Sequence, residues 1–380
     1  MNTTRRVFLG NVAATLAVPT VIRSSALGAV GAAAQGCKSA GALVSAPLCP
    51  GPVVGDPRVR GPFPILSTPF TASGEVDYEV LAREAQFVDW CGSPGMIWPQ
   101  SGDSVDLLTT EEKLKGMEVL AQTMRGRRSA LCLGVQGKDT EEMLIYARHV
   151  EKLAPTAMIS RPPDSGKTED DLRQYWRALA GVAKRPVIIQ TFGGAMYKGP
   201  GASVKLMIDL GREFPFFGYV KEEVRPMEAR IKEMVAAKPA IKCVFTAMGA
   251  FPWLFQARIG TEGLITERAV YADLLAFIWQ QMQSGKDPVA LNDAYSKLLL
   301  MLNLRETIPG NQLRGFHLYV WKKRGVFKNM LSREYGPKSS IPAKPILSEQ
   351  KLTPEDIAEI ESRFAMLKPY LKSGSPFGNA

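Results

Sequence analysis

The residue with the most specific chemistry in this chain is a lysine that closes an apolar run. Phe216-Phe217-Gly218-Tyr219-Val220 leads directly into Lys221-Glu222. So placed, Lys221 stands at the end of a strand rather than on a helix face. Partial desolvation there lets its ammonium lose a proton near neutral pH and act as an amine nucleophile on a ketone. The same position also suits a solvated cap or an ion-pair partner. Polar residues close other apolar runs as well: Thr68, Gln100-Ser101-Gly102-Asp103, Arg161, Gln190-Thr191 and Thr246. Metal chemistry has little to build on, because the 5 cysteines form no C-x-x-C pair and the histidines are two, His149 and His317.

The elements that must hold these residues follow from periodicity. From Gly61 onward, eight short apolar runs alternate with segments of helical period. The runs are Phe63–Thr68, Gly95–Pro99, Ala130–Val135, Ala157–Ser160, Pro186–Thr191, Phe217–Lys221, Cys243–Thr246 and Gly263–Thr266. The helical segments between and after them are Asp77–Trp90, Glu111–Met124, Glu141–Lys152, Glu169–Val182, Ser203–Arg212, Pro226–Ala236, Phe251–Ile259 and Glu267–Ser284. Thr110 and Thr140 are the expected capping hydroxyls, each ahead of a pair of acids. Eight strand–helix units predict an α/β fold, a (β/α)8 TIM barrel over residues 61–285, whose active site lies at the C-terminal ends of the strands. An open doubly wound sheet lacks its G-x-G-x-x-G after the first strand. Residues 286–380 form a C-terminal extension with helices at Pro288–Asn303, Leu313–Arg324 and Pro354–Leu371. Their apolar faces need either the barrel wall or another subunit, and a homo-oligomer, dimer or tetramer, is expected.

The N-terminus has the order of a signal peptide. Arg5-Arg6 precedes an apolar run through Ile22, and a small-residue stretch ends at Ala32-Ala33-Ala34. The paired arginines resemble the twin-arginine address, so residues 1–34 are expected to be removed on export to the bacterial periplasm, with no stable membrane insertion afterwards. Residues 35–60 are rich in Gly, Ala and Pro and are expected to form a flexible tether, in which Cys37 and Cys49 can pair in an oxidising compartment. Cys91, Cys132 and Cys243 sit in apolar contexts and are expected to be buried. The net charge of +10, from 47 Lys and Arg against 37 Asp and Glu, is half accounted for by the first 60 residues, where Arg5, Arg6, Arg23, Lys38, Arg58 and Arg60 face the single acid Asp56. The remainder suits small acids rather than nucleic acid. The run Lys322-Lys323-Arg324 with Lys328 is read as a solvated face, and the glycine-rich Phe192–Gly201 as a mouth loop.

Several motifs occur in one order: Leu66-Ser67-Thr68-Pro69-Phe70 with Gly74-Glu75-Val76-Asp77, Gly102-Asp103-Ser104 with Leu107-Leu108-Thr109-Thr110-Glu111-Glu112, Val220-Lys221-Glu222 and Gly263-Leu264-Ile265-Thr266. From about Gly61 to Arg333 the chain resembles the dihydrodipicolinate synthase and N-acetylneuraminate lyase family of pyruvate-dependent aldolases. The resemblance implies that Lys221 forms a Schiff base with pyruvate or another 2-oxo acid, without metal or organic cofactor. It implies that Ser101 and Gly102 hold the substrate carboxylate, with Thr68, Gln100, Asp103 and Thr191 around them. It also implies that the backbone of Ile265 lies beside the substrate.

The departures from the family pattern are specific. Gln190 replaces the tyrosine that closes strand five, Gln100-Ser101 replaces a threonine pair, Asp164 takes the place of a second tyrosine, and the usual arginine falls near Ala195-Met196. A glutamine amide cannot exchange protons as a phenol can, so proton movement is assigned to Asp164, Glu222, Tyr197 or a water held by Gln190 and Ser101. The aromatics Trp98, Phe192, Tyr197 and Phe251 suit an apolar portion of a substrate or barrel packing. The expected activity is a catabolic retro-aldol or dehydration reaction. The alternative is a barrel that has lost catalysis and binds a small organic acid.

Overall fold

The computed structural model describes residues 47–48, 52–194, 196–308, 312–334 and 345–377. The expected signal sequence, and both Cys37 and Cys49, lie outside these residues. Eight parallel strands follow one another in chain order: β1 (Gly61–Pro62), β2 (Gly95–Trp98), β3 (Ala130–Gly134), β4 (Ala157–Ser160), β5 (Val187–Gln190), β6 (Tyr219–Lys221), β7 (Cys243–Thr246) and β8 (Gly263–Leu264). Each pairs with its sequence neighbour from β2 to β8, and β8 returns to β1. A parallel sheet of this order with helical crossovers is a (β/α)8 barrel.

The first strand is shorter than its apolar run. Pro62 and Pro64 have no N–H to donate, so the regular ladder of β1 stops after two residues. Closure is completed by Ile65, which bridges to Ile97 on one side and Arg268 on the other.

The crossover helices are α1 (Tyr78–Cys91), α2 (Thr110–Thr123), α3 (Thr140–Leu153), α4 (Glu169–Ala180), α5 (Val204–Glu213), α6 (Met227–Ala236), α7 (Trp253–Arg258) and α8 (Ala272–Ser284). Two caps differ from expectation because α2 and α3 begin one residue early. Thr109, in a capping box with Glu112, caps α2, and Asp139 caps α3. Helix α8 begins later than expected because the preceding residues are still held to the barrel, the N–H of Ile65 donating to the Glu267 carbonyl at 2.8 Å.

Strand alternation divides the core into two. Phe63, Ile65, Ile97, Cys132, Ile159, Ile188, Tyr219, Cys243, Phe245 and Ile265 belong to a cluster inside the barrel. The intervening residues pack outward against the helices. Cys91, Cys132 and Cys243 are buried, as expected.

The C-terminal segment adds α9 (Pro288–Leu302), α10 (Leu304–Thr307), α11 (Gln312–Lys323) and α12 (Pro354–Ala365). Its apolar faces find the barrel wall. α9 packs on α8 and α12, while Trp321 of α11 meets Phe87 of α1 edge-on and donates Nε1–H to Ser67 Oγ at 3.2 Å. An antiparallel hairpin of β9 (Leu331–Glu334) and β10 (Ile346–Glu349) has no counterpart in the sequence reading. Arg333 ties β9 to the barrel through Glu112 and the carbonyl of Gly74, contacts that a local pattern cannot show. No helix among the described residues is long and apolar enough to cross a membrane.

The seam between β1 and β8 depends on Gly263, where an added Cβ would lie 2.5 Å from the Gly61 carbonyl oxygen and 2.5 Å from the Phe245 ring. Gly263→Ala is expected to cost about 1–3 kcal/mol by overpacking. Thermal denaturation checks this, and an unchanged melting temperature would show that the seam can relax.

Candidate active site

Lys221 and Gln190 are register partners on β6 and β5, and both side chains follow inward-facing residues two positions earlier, Tyr219 and Ile188. Their side chains therefore meet inside the mouth. Lys221 is 2% exposed, and its Nζ donates to Gln190 Oε1 at 3.2 Å. Two residues beyond Lys221, Glu223 returns to the same face and places Oε1 3.1 Å from Nζ. Period two thus supplies a carboxylate that the sequence reading missed, and the same alternation applied past the strand end is the signal that finds it.

The residues next to these face the other way and form a separate network. Glu222 accepts from Thr191 Oγ1 at 2.9 Å and from the Val224 N–H at 2.6 Å, and pairs with Arg230 Nη2 at 3.1 Å. Thr191 Oγ1 in turn accepts the Glu223 N–H at 2.8 Å. Glu222 and Thr191 are thus set apart from the Lys221 amine. They hold the loop that carries Glu223, and the proton-transfer role expected of Glu222 is not supported by this geometry.

A cavity of about 730 Å³ opens over Lys221. Of the residues picked out from sequence, Ser101, Gly102, Gln190 and Lys221 line it, as does Phe192 of the glycine-rich loop. Gly102 has φ +89°, a left-handed conformation that favours glycine. The sequence reading missed Arg268 and Thr266 past β8, Met248 past β7, and Arg305 and His317 from the C-terminal segment, all of which line the same cavity. Arg305 and His317 lie more than eighty residues from Lys221 in the chain, so spacing offers no signal for them.

Other expected contacts are absent from the cavity wall for physical reasons. Thr68 donates Oγ1–H to Asp103 Oδ2 at 2.6 Å and accepts Trp98 Nε1–H at 3.0 Å, while Asp103 also receives Arg268 at 3.1 Å. Thr68 and Asp103 therefore hold Arg268 rather than line the cavity. Gln100 is fully buried, its Oε1 taking the Ser101 N–H and Gln136 Nε2. Ile265 belongs to the interior cluster of the barrel. Asp164 lies near Arg161, Asp106, Glu142 and Lys113. Burial raises its carboxyl above the usual range while Arg161 opposes this.

Arg161 is buried, donates to Ser101 Oγ at 2.7 Å and pairs with Asp106. Gly194 lies against it, where a Cβ would meet the guanidinium at 2.4 Å. Among the aromatics, Trp98 is core, Tyr197 is spent on the Pro200 carbonyl at 2.5 Å, and Phe251 is exposed outside the cavity lining. Among the described residues, no group of three or more His, Cys, Asp or Glu could hold a metal ion.

A closed (β/α)8 barrel with a buried amine between an amide and a carboxylate at its C-terminal mouth has the build of a barrel enzyme working at its strand ends. No family model matches the chain. The chain is similar to 4-hydroxy-tetrahydrodipicolinate synthase of Chlorobium chlorochromatii, 25% identical over 258 residues, covering 67% of this chain and 85% of the relative. It is also similar to L-2-keto-3-deoxyarabonate dehydratase of Azospirillum brasilense, 21% identical over 253 residues, 65% of this chain and 79% of the relative. The solved structure of dihydrodipicolinate synthase from Aquifex aeolicus superposes with a TM-score of 0.67 at 20% identity, covering 83% of this chain and 100% of that one. N-acetylneuraminate lyase from Fusobacterium nucleatum gives 0.67 at 17% identity, with the same coverage. The chain is thus similar in sequence to dihydrodipicolinate synthases and shares its fold with them and with N-acetylneuraminate lyase, members of one family of barrel aldolases. Aldolases of this family form a covalent Schiff base with substrate and need no cofactor.

Beneath the site, Glu84 of α1 is fully buried. Its Oε1 accepts the Ser67 N–H at 2.8 Å and its Oε2 has no partner. Burial, reinforced by Asp103 and opposed by the Ser67 N–H and Arg268, holds its carboxyl well above the ordinary value of 4.5. A carboxyl raised in the folded state keeps its proton there, so folding stability falls as pH rises from about 4.5 towards the raised value. Glu84→Gln, which keeps the acceptor for Ser67, is expected to remove that fall, worth at most about 1.4 kcal/mol per pH unit. Urea unfolding between pH 5 and 8 reads the difference, and a wild-type-to-variant gap that does not change with pH would contradict it.

Proposed function

We propose that this protein is a class I lyase that binds a 2-oxo acid as a Schiff base on Lys221 and catalyses retro-aldol cleavage or dehydration. One observation carries the reading. The Lys221 amine is buried at the barrel mouth with Gln190 Oε1 at 3.2 Å and Glu223 Oε1 at 3.1 Å, facing a cavity large enough for a substrate. Glu223 accepts a proton from the Lys221 ammonium, and the free amine adds to the substrate ketone. The carbinolamine hydroxyl then leaves as water on taking a proton back, which produces the iminium. Gln190 fixes the amine and the Ser101 hydroxyl and Gly102 N–H receive the substrate carboxylate, with Arg161 behind Ser101 fixing its hydroxyl.

Gln190 and Asp164 stand where the resemblance places the tyrosines of the family relay, and Tyr197 is committed to Pro200. Glu223 supplies in their place a group able to carry a proton. The similarity to a 2-keto-3-deoxy acid dehydratase supports a catabolic substrate, and a prophage protein of E. coli K12 with the same fold was solved in complex with pyruvate. A second reading rests on the ion pair itself. If Glu223 keeps Lys221 protonated throughout, the barrel binds a small organic acid without reacting.

Borohydride reduction in the presence of pyruvate and a panel of 2-oxo acids, followed by peptide mass spectrometry, separates the two. An adduct on Lys221, abolished in Lys221→Ala, is expected, and the absence of an adduct with every 2-oxo acid would leave only the binding reading. Glu223→Gln is expected to slow adduct formation about 100-fold, the lower range for a lost acid–base group, while Glu222→Gln slows it far less. We propose further that residues 1–34 direct twin-arginine export to the periplasm, on the strength of Arg5-Arg6 and the apolar run after them. In a bacterial host the R5K/R6K variant is expected to remain unprocessed in the cytoplasm, and normal processing would refute the assignment.

A further inference from the structure

Among the described residues, two cations besides Lys221 line the cavity, and neither has a role in the chemistry proposed above. Arg268 follows β8, and Arg305 comes from α10 in the C-terminal segment. Each is aimed by a carboxylate behind it: Asp103 Oδ1 lies 3.1 Å from Arg268 Nη1, and Glu267 Oε2 lies 3.0 Å from Arg305 Nη2. Arg268 also donates to the Gly102 carbonyl. Neither carboxylate belongs to the cavity lining; the Glu267 side chain is 0% exposed against 30% for Arg305, and that of Asp103 is 10% exposed against 14% for Arg268. The wall therefore presents the guanidinium groups, and their charges are held from behind. A guanidinium has five N–H donors in a rigid fork, so one orienting carboxylate does not exhaust it, and the fork matches an incoming carboxylate in two-point geometry.

The loop after β7, whose Met248 and Gly249 line the cavity, is fixed by Glu267 and its neighbour Thr266. Glu267 accepts the Ala250 N–H at 2.9 Å, and Thr266 accepts the Gly249 N–H at 2.8 Å. A volume of about 730 Å³ exceeds the needs of a three-carbon acid and falls within the range of sites for larger ligands.

We propose that Arg268 and Arg305 form a second anion subsite that binds a distal carboxylate, so that the substrate is a 2-oxo acid with an acidic group at each end. The inference rests on the Schiff-base reading for the orientation of the substrate, but the subsite is testable without it. Glutarate and pentanoate have equal chain length, lack a ketone and cannot form an imine. Calorimetry is expected to show glutarate binding about tenfold more tightly than pentanoate, with the difference lost in Arg305→Gln and partly kept in Arg305→Lys. Because Arg305→Gln leaves the buried Glu267 unpaired, the double variant E267Q/R305Q, with folding checked by melting, repeats the measurement without that charge. Equal affinity for the two acids, no binding of glutarate, or a preference that survives both variants would overturn the subsite.

Borohydride trapping with 2-oxoglutarate and 2-oxopentanoate then tests orientation, and half-maximal Lys221 adduct is expected at about tenfold lower 2-oxoglutarate concentration. A glutarate preference with no adduct from either oxo acid would sink the Schiff-base reading and leave the subsite standing. Adduct formation at equal concentrations of the two would overturn the two-ended substrate.

Discussion

An ammonium group removed from water carries a desolvation cost of several kcal/mol unless a counter-charge and hydrogen bonds offset it. Lys221 is 2% exposed, so its place at the barrel mouth is sustainable only with Glu223 and Gln190 beside it. Those two contacts require that residues 221 and 223 of one strand end and residue 190 of the next share a face. That requirement is met by the parallel register of β5 and β6, in which Gln190 lies opposite Lys221. The pairing also leaves the amine next to a proton acceptor, which is the arrangement imine chemistry requires.

The same alternation gives the carboxylates two different tasks. Glu223 points inward to the amine, while Glu222, Asp103 and Glu267 lie behind the site and hold Arg230, Arg268 and Arg305. Breaking such pairs from one side leaves a buried charge uncompensated, so these acids stiffen the mouth without touching the reacting atoms. Burial raises the Glu222 and Glu267 carboxyls, and their arginine partners oppose the rise.

The C-terminal segment is part of the site. Its helices cover the barrel wall and bring Arg305 and His317 to the cavity, and Trp321 fastens α11 to the end of the first strand run at Ser67. A barrel without that segment would have a more open and less basic mouth.

How much could be read from the chain alone depends on the range of the interaction. The eight strands and their helices were legible because period two and period 3.6 are local patterns, and Lys221 because it ends an apolar run. The prolines at 62 and 64, which shorten the first ladder, are local features too, but the pairing they limit is with β8, far along the chain. Adjacent polar pairs misled: Gln190-Thr191 and Lys221-Glu222 read as units, yet a pleated strand sends the two members of each pair to opposite faces. The hairpin and the roles of Asp103, Arg268, Arg305 and His317 depend on contacts between residues far apart in the chain. The barrel and its lysine are written in the order of residues, since both follow from local periodicity. Which carboxylate meets that lysine and which cations share its cavity depend on burial and side-chain direction, and these are settled when the barrel closes and the C-terminal segment packs against it.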